Sequence, residues 1–304
     1  MGCELCPRRC MAEREKGELG YCQSPLLPRV ARAAKHFFEE PPISGTRGSG
    51  TVFFTGCSLG CIFCQNRAIR SPESGVEMDE RALGDLFLSL SGEGVHNINL
   101  VTPTHYADTV ARALERVRDR LSVPVVYNCG GYERPETLRL FEGLVDIYLP
   151  DFKYISPALS LAYSGAADYA EVATAALAEM VGQVGAVQLD ADGIMQRGVI
   201  VRHLVLPGAR RDSMAVLDRI KQTVGVRDVR LSLMSQYTPD FAPSDAPKPL
   251  LRRVTSFEYA SVADYAVELG FEGYFQEREA ADASYTPDFS VPLFEGAREE
   301  RDRA

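Results

Sequence analysis

Eight cysteines carry most of the chemistry open to this chain, and their spacing divides them into groups of four, three and one. The group of three, Cys57-Ser-Leu-Gly-Cys61-Ile-Phe-Cys64, follows directly on an apolar run at residues 51–55. Three thiolates on one short loop can hold three irons of a cubic 4Fe-4S cluster and leave the fourth iron without a protein ligand, so that iron becomes a chemical site. Two plainer arrangements use the same residues, a disulfide with a spare thiol or a zinc site completed elsewhere. A reducing compartment disfavours the first, and structural zinc usually takes its cysteines as two CxxC pairs. The cluster is the expectation.

The group of four is Cys3-Glu-Leu-Cys6-Pro-Arg-Arg-Cys10 with Gly20-Tyr-Cys22. Four thiolates can wrap one tetrahedral zinc or one 4Fe-4S cluster and leave no open position. Spacing alone does not separate iron from zinc. A staple for a small segment that lacks its own core is the favoured role, against an auxiliary cluster that relays electrons or binds substrate.

The last cysteine, Cys129, stands apart in Asn128-Cys-Gly-Gly131. The plain reading is a small buried hydrophobe, the commoner fate of a free cysteine. The chemical reading is a hydrogen-atom donor to a substrate radical, in a loop whose glycines let a ligand approach the backbone.

The elements that must position these groups alternate between strand and helix. Strands are expected at residues 51–55, 97–101, 123–127, 146–149, 199–206 and 229–234. Asp79 is placed to cap a helix whose apolar face is Leu83, Leu86, Phe87 and Leu90. Further helices are expected over Val110–Leu121, from Pro135, around Val172–Val181 and from about Ser213, with a hairpin turn at Asp192-Gly193. Such units give parallel strands with right-handed crossovers, hence an α/β barrel or an open doubly wound sheet. Ligands then bind in the loops at the carboxyl ends of the strands. Those loops hold Thr102, Thr104 and His105, then Asn128 and Cys129, then Asp151 and Lys153, and lastly Gln236. Arg202 and His203 are neighbours on a strand, so at most one points inward, and Arg202 is preferred.

These stretches also occur in a recognisable order. Gly45-Thr-Arg-Gly-Ser-Gly50 precedes the CxxxCxxC loop with Phe63 before its third cysteine. Val101-Thr-Pro-Thr-His-Tyr106, Tyr127-Asn-Cys-Gly-Gly-Tyr132, Asp146-Ile-Tyr-Leu-Pro-Asp-Phe-Lys153 and Arg202-His-Leu-Val-Leu-Pro-Gly208 follow. From Cys3 to about Phe289 the chain resembles the radical S-adenosylmethionine (SAM) enzymes, in particular the branch similar to the pyruvate formate-lyase activating enzyme. The resemblance implies a partial (β/α)6 TIM-like barrel behind an N-terminal Cys-rich metal-binding segment. It divides the chain into that segment at 1–45, the barrel at 46–250 and a C-terminal extension at 251–304 that closes the barrel and ends in a solvated tail.

The resemblance also implies that the open iron chelates the amine and carboxylate of SAM, and that an electron from a donor such as flavodoxin or ferredoxin cleaves the sulfonium. The 5'-deoxyadenosyl radical then abstracts a hydrogen atom. Phe63 would lie near the adenine, and Asp151 and Lys153 near the methionyl group and an associated cation. Where the family often has Gly-Gly-Glu-Pro for the SAM amine, this chain has Thr102-Pro-Thr-His105, whose hydroxyls and carbonyls can accept the same hydrogen bonds. His105 reads equally as a proton carrier or a structural residue.

Composition sets the outer limits. With 304 residues the chain could form one large domain or two small ones, and with 45% of them hydrophobic it can bury a full core. A net charge of -9 argues against a nucleic-acid or anionic-membrane surface. The charged first thirty residues leave no apolar signal peptide, so a cytoplasmic protein is expected. Three functions remain open. One is abstraction of a Cα hydrogen from a glycine of a partner glycyl-radical enzyme. Another is epimerisation of an amino acid, free or in a peptide, with Cys129 as donor. The third is a non-catalytic, metal-stapled binding protein.

Overall fold

The computed structural model describes residues 2–70, 74–276 and 289. The strands are β1 (Arg29–His36), β2 (Ser49–Phe54), β3 (Val76–Glu77), β4 (Ile98–Val101), β5 (Val125–Cys129), β6 (Ile147–Pro150), β7 (Gln188–Leu189), β8 (Met195–Leu204), β9 (Val229–Met234) and β10 (Gly273–Phe275). The helices are α1 (Pro41–Ser44), α2 (Glu80–Gly92), α3 (Ala107–Val117), α4 (Pro135–Leu138), α5 (Pro157–Ser164), α6 (Tyr169–Val184), α7 (Arg210–Val224) and α8 (Ser256–Glu268).

The six expected strands all form and all run parallel, in the order β2, β4, β5, β6, β8, β9. β10 extends this sheet in parallel beside β9. At the other edge β1 and β3 add antiparallel strands, so the sheet does not close. This is a partial TIM-like barrel. The hairpin at Gly193 pairs β7 with β8.

Local chemistry explains why the helices lie where they do. The Asp79 carboxylate accepts the N–H of Ala82 at 2.8 Å and starts α2, a cap worth about 1 kcal/mol. Leu83, Leu86, Phe87 and Leu90 then face the sheet and are buried. Val110, Ala113 and Leu114 do the same for α3. Truncating any large member of these faces costs roughly 2–5 kcal/mol, because the close-packed surroundings relax only partly.

Two departures concern the stretch before β2. Residues 29–36 form β1 inside the region expected to be a Cys-rich segment, so part of 1–45 belongs to the sheet. The glycine-rich stretch that starts at Gly45 is also tightly packed at its first residue. A Cβ at Gly45 would meet Ile194 Cδ1 at 2.5 Å and His96 Nε2 at 2.7 Å. Just ahead of it, Ile43 of α1 packs with the inward residues Val126, Ile147, Leu149, Met195 and Ile200. Helix α1 thus plugs the barrel, and the space left above it lies at the carboxyl ends of the strands. The tail at 298–303 lies outside the described residues.

Candidate active site

The carboxyl ends of the strands surround one cavity of about 300 Å³. Cys57, Cys61 and Cys64 line it together with Phe63, and all three thiols are free of disulfides. Their loop leaves β2 through Gly56, which has φ 82°, and where a Cβ would lie 2.1 Å from Ser24 Oγ. The sulfurs accept hydrogen bonds, Cys57 from the Leu59 N–H at 3.4 Å and Cys61 from the Ser164 hydroxyl at 3.1 Å. Burial pushes the Cys57 thiol up, reinforced by Cys61, and pushes Cys64 up to about 12 with the same neighbours adding to it. Three thiolates would repel one another here, and bound iron would relieve that repulsion. The loop therefore suits a 4Fe-4S cluster with one open iron.

In the same cavity a buried polar network joins three strand ends. Arg202 donates through Nε to Asp151 Oδ1 at 2.9 Å and through Nη2 to Asn128 Oδ1 at 2.6 Å, and pairs with Glu39 Oε2 at 3.4 Å. Lys153 Nζ meets Asp151 Oδ2 at 2.5 Å. Burial alone would raise Asp151, but Arg202 and Lys153 outweigh it and hold the carboxyl below its usual range. In return Asp151 overcomes the cost of burial and keeps both cations firmly charged. Strand alternation explains the choice between neighbours: Arg202 faces the cavity, while buried His203 turns away and its Nδ1 meets the Phe152 carbonyl at 2.7 Å.

The remaining expected residues divide. Thr102 lines the cavity at φ 59°, a left-handed conformation that a β-branched residue rarely adopts and that marks a constrained loop. Gln236 lines the cavity and accepts from Gln276 Nε2 at 3.2 Å. Phe63 packs edge-on against Tyr163 and Tyr237. Thr104 does not reach the cavity wall. It is buried behind it, donating to Glu133 Oε1 at 3.1 Å and accepting from the Tyr127 hydroxyl at 3.0 Å. His105 is equally internal: its Nε2 sits 2.7 Å from the Thr55 carbonyl, and burial lowers it to about 4.

Cys129 borders the cavity at the end of β5 and is 2% exposed. Cys129 packs in the same apolar cluster as Tyr127, and its polar neighbour is Glu133, which also lines the cavity. Burial and Glu133 raise the thiol well above its usual range. Of the two glycines that follow, only Gly130 opens onto the cavity. At Gly131, with φ 79°, a Cβ would lie 2.0 Å from the Asp151 carbonyl, so that glycine serves the close approach of two loops.

Three acids on the wall, Glu39, Glu40 and Glu133, were missed in the sequence. Their signals are faint, an acidic pair before Pro41-Pro42 and an acid two residues after Gly131.

The N-terminal cysteines lie outside the cavity. Cys3 and Cys6 are raised chiefly by burial, and each senses Cys10 and Cys22 electrostatically, so the four thiols share one neighbourhood. Among the described residues no group of three or more His, Cys, Asp or Glu side chains is arranged to hold a single metal ion.

Comparison with known proteins fits this geometry. Residues 51–182 match the Radical SAM superfamily. The matched span runs from β2 to within α6 and contains the three-cysteine loop, Asp151 and Lys153. A radical SAM domain implies a 4Fe-4S cluster and SAM, and members of the superfamily are enzymes. The chain is also 26% identical over 275 residues to "Uncharacterized protein MJ0674" of Methanocaldococcus jannaschii, covering 87% of this chain and 74% of that protein. Among the described residues, no helix is long and apolar enough to cross a membrane.

Proposed function

We propose that this protein is a radical SAM enzyme of the activating-enzyme kind, which removes a hydrogen atom from the Cα of a glycyl residue or another amino acid. The observation that carries the reading is that the three-cysteine loop and the Asp151–Lys153–Arg202 network line one cavity. When bound, the cluster and SAM supply one-electron cleavage of the sulfonium and a hydrogen-abstracting 5'-deoxyadenosyl radical. Cys57, Cys61 and Cys64 hold the cluster. Asp151, fixed between two cations, presents a preorganised charge that needs no reorganisation during turnover. Phe63, Tyr237 and Leu59 exclude water from the cluster side of the cavity. Flavodoxin or ferredoxin fits as the electron source, and a loop of a glycyl-radical enzyme fits as a polypeptide substrate.

A second reading is epimerisation, favoured by the position of Cys129 on the cavity border. There the Cys129 S–H bond breaks and its hydrogen forms the new Cα–H bond. The sulfur radical left behind returns to the thiol by taking one electron from a ferredoxin-class donor and one proton, for which Glu133 is the adjacent acid.

The test is to reconstitute the protein anaerobically, reduce it with SAM and measure 5'-deoxyadenosine. Formation is expected, and its absence sinks the enzyme reading in favour of a metal-stapled binding protein. Candidate amino acids and glycyl peptides are then incubated in deuterated water. Deuterium at Cα that is lost in Cys129→Ala selects epimerisation. A stable protein-based radical on an added glycyl-radical enzyme selects activation.

A further inference from the structure

The charges on the cavity wall do not balance. Glu39, Glu40, Glu133 and Asp151 stand against Lys153 and Arg202, four carboxyls to two cations, with histidine counted as neutral. Two of the acids are matched inside the protein. Asp151 holds both cations, and Glu39 accepts from Asn99 at 2.9 Å and Asn128 at 3.2 Å besides facing Arg202.

Glu40 is not matched. The residue is 9% exposed, and its Oε2 is buried with no hydrogen-bond partner. Burial raises its pKa, Arg202 acts against that, and Glu39 adds to it. Its carboxyl is hydrogen-bonded to the Ser232 side chain of β9, which leaves Oε2 open, and Tyr274 of β10 is close enough to sense its charge. A desolvated carboxyl oxygen left unpaired costs free energy until a proton or a hydrogen-bonding partner reaches it.

SAM cannot fill both vacancies in this charge pattern. Its net charge is at most one positive, and is lower when its amine is a ligand rather than an ammonium, so it answers at most one of the two unmatched acids. Glu133, beside Thr104 at the end of β4, is the acid nearer the loop that stands where the family holds the SAM amine. Glu40 then remains for something else.

We propose that Glu40 forms a subsite for a positively charged group of the substrate, an alkylammonium or guanidinium, received between Ser232 and Tyr274. This rests on the reading of the cavity as an active site acting on an amino acid or peptide, and it narrows that substrate to a cationic one. The cation bonds to the free Oε2, while the Tyr274 ring is available to its alkyl stem or as a cation–π face.

The test uses the reconstituted protein with SAM bound and no reductant, so that no turnover is needed. n-Butylammonium, butyrate and n-butanol, equal in size and different in charge, are titrated by calorimetry. Saturable binding of n-butylammonium alone is expected, weakened at least tenfold in Glu40→Gln. Two further probes distinguish the source of the charge: glycinamide offers an α-ammonium, and N-acetyl-lysinamide a side-chain ammonium within a peptide frame. Binding of either, lost in Glu40→Gln, supports the subsite and names the source. Equal binding of butyrate, no effect of Glu40→Gln, or competition between n-butylammonium and SAM each overturns the proposal. Unchanged SAM binding by Glu40→Gln shows that the variant is folded. Because 5'-deoxyadenosine formation is measured separately, failure of the subsite does not coincide with failure of the enzyme reading.

Discussion

The two cysteine groups differ less in residue type than in what surrounds them. Cys57, Cys61 and Cys64 sit on a loop between a buried strand and a cavity, and the sheet beneath them is held by apolar packing that needs no metal. Cys3, Cys6, Cys10 and Cys22 sit in a segment with little regular structure, where Arg9, Met11 and Gln23 all have positive φ. Strain of that kind persists only where the surroundings over-determine it. At Gly20, a Cβ would lie 2.4 Å from Cys10 Sγ, so even the absence of a side chain is committed to making room for a sulfur. The contrast suggests that the barrel holds its cysteines in place, whereas the N-terminal segment is held in place by them. One site is then expected to fail chemically when altered, the other mechanically.

The largest effect should come from breaking the first site. Cys61→Ala removes one of the three proposed ligands from a loop whose backbone is otherwise anchored. It is expected to lower 5'-deoxyadenosine formation about 1,000-fold, roughly 4 kcal/mol in the barrier, with little change in thermal midpoint. A cluster-loaded Cys61→Ala that still cleaves SAM at the native rate would break the comparison.

Next is its counterpart. We propose that the N-terminal cysteines bind a structural metal, and Cys6→Ala, at a residue 5% exposed, should cost about 3 kcal/mol. The thermal midpoint should fall by roughly 5–10 °C, while the rate of SAM cleavage by the folded fraction stays within about tenfold. A chelator that strips this site without touching the cluster should reproduce the shift. An unchanged midpoint would show that the segment does not depend on its thiols.

The parts of this comparison that sequence made legible are those fixed by local pattern. Six strand–helix units, the Asp79 cap and the CxxxCxxC loop announce themselves by periodicity and spacing. β1 does not, because Arg29-Val-Ala-Arg-Ala-Ala-Lys-His36 is too polar to read as a strand until it pairs with β2. Nor do Glu39, Glu40 and Glu133, whose chemistry comes from burial by strands far away in sequence. Thr104 shows the reverse error: its place in a strand-end loop suggested a cofactor contact, yet the short helical turn at Thr104–Tyr106 folds it behind the wall.

Buried acid gives the third expectation, specific to the cavity side. Burial pushes Glu133 up to about 7, with hydrogen bonds from Cys129 and Thr104 pulling the other way. Its folded pKa therefore exceeds the unfolded value of 4.5, and the native state binds the extra proton between those two values. Stability must fall as pH rises from about 4.5 to about 7, by at most about 3 kcal/mol and, after relaxation, about 2. Glu133→Gln should flatten this part of the pH profile, measured as urea midpoints at pH 5 and pH 7.5. An unaltered slope would assign the pH dependence to other groups.

The smallest effect tests whether the two regions are separable at all. Arg8 lies between the N-terminal cysteines and the cluster loop. Its guanidinium donates to the carbonyls of Ser58 at 2.9 Å, Leu59 at 3.2 Å and Ser164 at 2.8 Å, and also to that of Gly165. It stacks 3.9 Å over Tyr21 and 5.2 Å from Tyr132. Backbone carbonyls that lose such a donor but stay near water are partly resatisfied, so Arg8→Ala should cost about 1–2 kcal/mol rather than the sum of its bonds. Because the anchor touches both sides, the variant should loosen both. The thermal midpoint should fall by a few degrees, and the cluster should be lost faster on exposure to air. Arg8→Lys, which keeps the charge but not the fork, should recover only part of either effect. If Arg8→Ala shifts the midpoint and leaves cluster lifetime untouched, the N-terminal segment is a passive attachment. If both move together, the segment that cannot hold itself is helping to hold the loop that does the chemistry.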